Sequence, residues 1–219
     1  MAIPLVLHAQ VVAQALPIVA ALVAWGRRKP VPRPRVVLWC AVLVATDLIS
    51  LVVARLEGNN LWLAYFATPL EVGIVLWLLS EMQATELLRI TYWLAIPIMG
   101  TAVVALLLLT DPSVTYARWI APFLGLLGLG ASLFALVHRT ISSRQPLTGQ
   151  DWFWICLGLS LFWTGYVSVP VFADTFLSSH VEWVRWAYIG RAWTDIAAFF
   201  LISWGMVCQW VPARLHGSS

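Results

Sequence analysis

The sequence is poor in charged residues. Only 11% of its 219 residues are charged and lysine occurs once, as Lys29, whereas a typical soluble domain has about 25% charged residues. The chain is 61% hydrophobic and its mean hydropathy is +0.86. Such a chain cannot cover its surface with polar groups, which excludes an ordinary water-soluble globular protein. The scarcity of charge therefore predicts an integral membrane protein.

Motifs for metal, nucleotide and disulfide chemistry are also missing. The three cysteines have no repeated spacing, which argues against a disulfide framework. The four histidines fall at different depths of the predicted topology, so we expect no metal site. The sequence has no phosphate-binding loop, dinucleotide fingerprint or nucleophile–base pattern. No catalytic residue is therefore assigned, no nucleic-acid partner is expected, and whether the protein is an enzyme stays open.

Seven apolar stretches are each long enough to cross a bilayer, which takes about 20 residues. They are Pro4–Trp25, Val36–Arg55, Asn60–Ser80, Leu87–Leu109, Tyr116–His138, Asp151–Phe172 and Trp183–Trp210. A helix satisfies its backbone hydrogen bonds internally, and none of these stretches alternates as a barrel strand does. The predicted fold class is all-α: a polytopic membrane protein whose residues 1–219 form a single domain of seven transmembrane helices.

Basic residues are divided unequally between the two sides of this topology. Nine lie on the side of the first connecting loop and the C-terminus, five of them within Arg27–Arg35, and three lie on the other side. The positive-inside rule then places the N-terminus outside and the C-terminus in the cytoplasm, as in a bacterial-type inner membrane. We expect the basic loop to contact anionic head groups of membrane lipid. Most tryptophans, including Trp39, fall at span ends and predict an interfacial belt.

A short internal similarity suggests a repeat. Leu63-Ala64-Tyr65 and Leu78-Leu79-Ser80 match Trp186-Ala187-Tyr188 and Leu201-Ile202-Ser203 at the same offset of 123 positions. The match predicts a 3+1+3 arrangement in which residues 4–80 and 116–210 repeat and residues 87–109 form the linker helix. Both halves would enter the membrane from the same side, as in parallel transporter repeats.

Ionisable residues near the middle of the spans are the clearest sign of a functional site. Asp47, Glu71 and Asp195 lie near the midplane of three spans, and Arg191 is one turn from Asp195. A charge at this depth costs about 2.5–3.5 kcal/mol on insertion scales, so such residues usually serve a function. Because three acids share one arginine, we expect at least one of Asp47 and Glu71 to be protonated at neutral pH.

Polar and aromatic side chains accompany these acids on five spans, each set on one helix face. The candidates for ligand binding or proton transfer are Gln14, Asp47, Thr68, Glu71, Trp163, Tyr166, Tyr188, Arg191, Trp193 and Asp195. Their convergence would form a midplane pocket in which Trp163 and Trp193 stack on the apolar body of a ligand. The alternative is a structural network, in which Arg191 neutralises Asp195 and hydroxyls bond between helices.

The first third of the chain resembles lycopene cyclase domain proteins, which are membrane enzymes of carotenoid synthesis. The run Asp47-Leu48-Ile49 is followed by Pro69-Leu70-Glu71, and a basic loop precedes both. The resemblance implies that Glu71 and Asp47 protonate a polyene double bond. Val72 stands where that family has a second glutamate, which puts cyclase activity in question.

Other segments resemble microbial rhodopsins. Phe66-Ala67-Thr68-Pro69-Leu70 is similar to their third helix and Trp163-Thr164-Gly165-Tyr166 to their sixth, and Asp195 stands where a counter-ion would. That family binds retinal through a lysine in the seventh helix, where this chain has Phe199. Covalent retinal is therefore excluded, and the resemblance leaves a non-covalent pigment or lipid as the expected kind of cofactor.

The sequence thus predicts an integral membrane protein with a midplane polar pocket. Its expected role is binding or transport-like, for a small or apolar ligand such as a pigment, a lipid or an isoprenoid. Two alternatives stay open. One is an intramembrane enzyme that acts on an isoprenoid or carotenoid, with Glu71 or Asp47 as general acid. The other is an accessory subunit that binds protein partners in a larger membrane complex.

Overall fold

The computed structural model describes residues 5–26, 33–57, 61–109, 119–176 and 181–208. Its helices are α1 (Leu5–Gly26), α2 (Pro34–Glu57), α3 (Leu61–Glu81), α4 (Glu86–Leu109), α5 (Ala121–Ser142), α6 (Asp151–Phe176) and α7 (Val181–Val207). A short 3-10 turn, Leu147–Gly149, precedes α6, and the described part of the chain contains no strand. The predicted all-α fold with seven helices is confirmed.

Six of the described helices, α1 to α6, are long and apolar enough to cross a membrane. Helix α7 has 27 residues but carries Arg191 and Asp195 in its middle. It packs against α6 in the opposite direction, because Gly165 contacts Thr194 and Gly205 contacts the backbone of Asp151. Helix α7 therefore extends across the same thickness as α6, although its polar residues lower its hydropathy.

Six helices form a closed ring. Around this ring α1 contacts α2, α2 contacts α3, α3 contacts α5, α5 contacts α6, α6 contacts α7, and α7 contacts α1. Helix α4 lies outside and packs on α3, and its Tyr92 hydroxyl donates a 2.8 Å hydrogen bond to the Ala131 carbonyl of α5. We call the end at which α1, α3, α5 and α7 begin the N-terminal face, and the opposite end the C-terminal face.

The order of helices in the ring fits two groups of three with α4 outside. Rotating α1–α2–α3 onto α5–α6–α7 would map the contact between α3 and α5 onto the contact between α7 and α1. Any ring built in chain order from these six helices has the same property. The 3+1+3 repeat therefore stays a prediction.

Aromatic rings fill the half of the bundle nearer the C-terminal face. Trp39 of α2 is fully buried, and its ring centroid lies 5.1 Å from that of Phe162 and 5.8 Å from that of Phe199. The assignment of Trp39 to the interfacial belt is wrong, because the face of α2 that carries it turns toward the inside of the ring. Trp25 and Trp186 are exposed, as a belt requires.

Ion pairs connect three helices at the C-terminal face. Nε of Arg33 lies 2.7 Å from Oδ2 of Asp151 at the start of α6. Arg35 pairs with Glu81 at the end of α3, and its guanidinium lies 4.0 Å from the centroid of the Trp77 ring. These two arginines of the basic segment are thus engaged within the protein. Arg27, Arg28 and Lys29 lie outside the described residues, and their contact with anionic lipid stays a prediction.

Candidate functional site

Carboxyl groups from three helices lie around one guanidinium. The charge of Arg191 acts on Asp47 of α2, Glu71 of α3 and Asp195 of α7, and the charge of Asp47 acts on the other two acids. Nε of Arg191 is 3.6 Å from Oδ2 of Asp195. We call these four residues the acid–arginine cluster. Each acid lies near the middle of its helix, so the cluster occupies the central layer of the bundle.

Helix α1 adds two amides to this cluster. Nε2 of Gln10 donates a 2.7 Å hydrogen bond to Oδ2 of Asp195, and the amide of Gln14 is near enough to Asp47 to interact with its carboxyl group. Gln14 was among the sequence candidates, whereas Gln10 was not. The signal that could have found Gln10 is its i, i+4 spacing from Gln14, which places both amides on one face of α1.

Aromatic residues of α6 form one side of the cluster. The guanidinium carbon of Arg191 lies 4.8 Å from the centroid of the Tyr166 ring. The Tyr166 hydroxyl is 3.2 Å from Oγ1 of Thr68 on α3, and both residues are buried. Trp163 is fully buried one turn earlier, with its ring centroid 5.4 Å from that of Tyr166 in a T-shaped arrangement. Tyr166 therefore connects α3, α6 and α7 at the level of the acids.

Glycines of α5 make room for these rings. A Cβ added at Gly125 would lie 3.1 Å from the Tyr166 ring, and one at Gly128 would lie 2.5 Å from the Trp163 ring. The indole nitrogen of Trp163 is also against Gly128, at 2.9 Å from that added Cβ. This nitrogen therefore faces α5. A Cβ at Gly130 would meet no atom within 4 Å among the described residues, so this glycine takes no part in the close packing.

The burial of the inward face of α2 ends at the level of Asp47. The inward face of α2 is buried at Val36, Trp39, Cys40 and Leu43, whereas Asp47, one turn further along, is exposed. The Arg191 side chain is 25% exposed, and Asp195 beneath it is fully buried. The cluster therefore lies where the packed half of the bundle around Trp39 gives way to more exposed residues on the side of the N-terminal face.

Two candidates do not join the cluster. Trp193, expected in the pocket lining, is 61% exposed and lies on the outer surface of α7. It is offset by two positions from both Arg191 and Asp195, which turns it about 200° around the helix from each of them. Tyr188 is also exposed, because it lies one turn closer to the N-terminal face than Arg191, where the bundle is open.

Two buried acceptors of the site, like the buried donor Nε of Arg191, have no hydrogen-bond partner in the described part of the chain. They are Oδ1 of Asp195, a residue with no exposed surface, and Oε1 of Gln14, a residue only 3% exposed. An unpaired buried acceptor costs about 1–3 kcal/mol, so these positions favour the approach of a hydrogen-bond donor. Since Gln14 interacts with Asp47 and Asp195 is paired with Arg191, both acceptors belong to the same site.

The bundle was also searched for metal-binding groups and for cavities. The described residues contain no group of three or more side chains suited to hold a metal ion. An apolar cavity of about 250 Å³ lies between α1 and α2 near the C-terminal face, away from the cluster. It is lined by Ile18, Ala21, Leu22, Trp25, Pro34 and Val37.

Comparisons with known proteins give no match. No family model, no curated protein and no solved structure is significantly similar to this chain. The resemblances to lycopene cyclase domain proteins and to microbial rhodopsins therefore stay expectations from the sequence alone. The structure is an apolar helical bundle of the kind found in integral membrane proteins, and it has polar residues at its centre.

Proposed function

We propose that this integral membrane protein binds or transports a small ligand at the acid–arginine cluster. The observation that carries the proposal is that acids on three different helices lie within electrostatic range of the guanidinium of Arg191, which is 3.6 Å from Asp195. One ion pair would neutralise one acid, so a purely structural pair needs neither Asp47 nor Glu71. Ionisable groups within membrane spans more often mark ligand or proton pathways than simple pairs.

The surroundings of the cluster suit a ligand with a polar end and an apolar body. The acids and the amides of Gln10 and Gln14 would hold the polar end. The rings of Tyr166 and Trp163 would contact the body, since aromatic faces provide large apolar surfaces with little loss of entropy. A pigment, a lipid or an isoprenoid fits this description.

Access from one end supports a transport-like role. We infer that the site opens at the exposed Asp47 toward the N-terminal face, since the opposite half is filled by aromatic rings and connected by the ion pairs of Arg33 and Arg35. A site open to one side only is what alternating access requires of one of its two states. With the orientation predicted from the basic residues, this side is the outside of the cell.

The proposal is tested by what copurifies with the protein. Native protein and the variants Glu71→Gln, Asp195→Asn and Glu86→Gln are purified in mild detergent, and their bound small molecules are compared by mass spectrometry. Glu86 is an exposed acid at the start of α4, so it is the matched control. We expect the native protein and Glu86→Gln to carry the same compounds, and the two cluster variants to lose or exchange them.

Three results would decide against the proposal. Identical profiles in all four proteins would mean that the cluster holds no ligand. A cyclic carotenoid formed from lycopene in cells that express the native chain, and lost in Glu71→Gln, would favour the intramembrane enzyme instead. A fixed protein partner that copurifies with all four proteins would favour the accessory subunit.

A further inference from the structure

We infer that the polar end of the ligand is a cation, an ammonium or guanidinium group that competes with Arg191 for the cluster. This inference rests on the proposed function and names the chemical class of its ligand. Three observations lead to it: the excess of acids over bases at the site, the two unpaired buried acceptors, and the position of the Arg191 guanidinium.

The first observation is the charge balance. The cluster has three carboxyl groups and one guanidinium, and no other basic side chain acts on these acids among the described residues. If all the acids were ionised, two negative charges would lack a partner, although Glu71 and Asp195 are buried. Protons or a bound cation are the two ways to remove that excess. An anionic ligand would increase it.

The second observation is the kind of polar atom left unpaired. Oδ1 of Asp195 and Oε1 of Gln14 are both acceptors, and both are buried. A Gln side chain has no charge, so its unpaired oxygen is evidence independent of the acids. An ammonium group offers three donors and a guanidinium five, and neither brings an acceptor that would need its own donor. A cation therefore satisfies these two acceptors. The buried Nε of Arg191 also has no hydrogen-bond partner among the described residues, and it would leave its position when a cation displaces the guanidinium.

The third observation is that Arg191 already occupies a cation position. Its guanidinium stands over the Tyr166 ring at 4.8 Å, the arrangement in which an aromatic face attracts a cation. Its distance of 3.6 Å from Nε to Oδ2 of Asp195 is too long for a hydrogen bond. The side chain is 25% exposed, which gives it room to move aside. We therefore treat Arg191 as a tethered cation that fills the site when no ligand is bound.

The inference predicts the sign of the effect when Arg191 is changed. A unit charge about 5 Å away, at an effective dielectric constant of about 20, changes the affinity for a cation by more than tenfold. Because Arg191 is partly exposed and screened, we expect Arg191→Gln to bind a cation about tenfold more tightly than the native protein. A ligand with an anionic end would instead be held by Arg191, and the same variant would bind it more weakly.

The experiment uses three probes with one body and different charges: benzylammonium, benzyl alcohol and benzoate. Binding to the full chain in nanodiscs of zwitterionic lipid is measured by calorimetry for the native protein, Arg191→Gln, Arg191→Lys, Asp195→Asn and Glu86→Gln. We expect benzylammonium to bind best, about tenfold more tightly to Arg191→Gln, and at least about tenfold more weakly to Asp195→Asn. Arg191→Lys keeps the charge and should match the native protein, as should Glu86→Gln.

The two proposals fail in different ways. If benzoate or benzyl alcohol binds better than benzylammonium, and this binding depends on the cluster, the cation class is wrong while the binding site stands. A weaker affinity of Arg191→Gln for benzylammonium, with Arg191→Lys unchanged, would also overturn it. If no probe responds to any cluster variant and the copurified compounds are also unchanged, the proposed binding function itself is refuted.

Discussion

The pair formed by Arg191 and Asp195 should be strongly coupled, and a double-mutant cycle can measure that coupling. The single changes are Arg191→Gln and Asp195→Asn, and the double variant carries both. Arg191→Gln leaves the fully buried Asp195 without its cation, which typically costs 3–5 kcal/mol of unfolding free energy. Asp195→Asn removes the charge and keeps an oxygen that can accept the hydrogen bond of Gln10, so it should cost less.

The size of the coupling follows from the geometry. At 3.6 Å and an effective dielectric constant of about 20, the attraction has an upper limit of about 5 kcal/mol. Desolvation of both groups and the partial exposure of Arg191 reduce this value, so we expect a coupling of about 1–3 kcal/mol. In the double variant, Asp195→Asn should therefore recover part of the stability that Arg191→Gln loses.

Arg89 and Glu86 on α4 provide the matched control. Their charged atoms are closer, at 2.9 Å, but both side chains are well exposed, so their coupling should be below about 0.5 kcal/mol. Both cycles are measured by reversible unfolding in mixed micelles, followed by tryptophan fluorescence. A coupling for the buried pair no larger than that for the exposed pair would refute the view that burial makes Asp195 depend on Arg191.

Two further predictions concern packing and protonation. Gly128→Ala should lower the unfolding free energy by about 1–3 kcal/mol, because the added Cβ meets the buried Trp163 ring. The control Gly130→Ala should leave the unfolding free energy unchanged or raise it slightly. Equal effects of the two variants in thermal unfolding would contradict the packing of α5 on α6. Infrared spectra at pH 7 should contain a protonated carboxyl band that Glu71→Gln or Asp47→Asn reduces, since three acids share one guanidinium. Spectra in which every carboxyl group is ionised would contradict this expectation.

The sequence predicted correctly where the helices lie along the chain and how deep a residue lies within its helix, because both follow from counting residues along an apolar stretch. Seven apolar stretches predicted seven helices, and the ends of α4 and α7 agree to within a few residues over the described range. Asp47, Glu71 and Asp195 could be singled out because each stands near the middle of its span. Their meeting around Arg191 depends on which helices are neighbours in the ring, and no local pattern encodes that order.

Prediction and structure differ for residues that were judged by their neighbours in the sequence and not by the helix face on which they lie. Trp193 was included because it stands between polar residues, yet its offset of two positions turns it away from both. Trp39 was assigned to the interface because of its closeness to a span end, although it continues the inward face that leads to Leu43. The ion pairs of Arg33 and Arg35 were missed because a basic loop has a sufficient explanation in topology, and their partners are distant in sequence.

The most direct test of a ligand-accessible cluster is thiol labelling along α2. Asp47→Cys, Leu43→Cys and, as a positive control at the N-terminal face, Trp186→Cys are each introduced into a chain whose native cysteines are replaced by alanine. Each variant is then treated with a membrane-impermeant maleimide in intact cells. The account predicts that Cys at position 47 reacts from the same side as Cys at position 186, and that Cys at position 43 does not. No reaction at position 47, or equal reaction at 43 and 47, would contradict an opening that ends at the acid–arginine cluster.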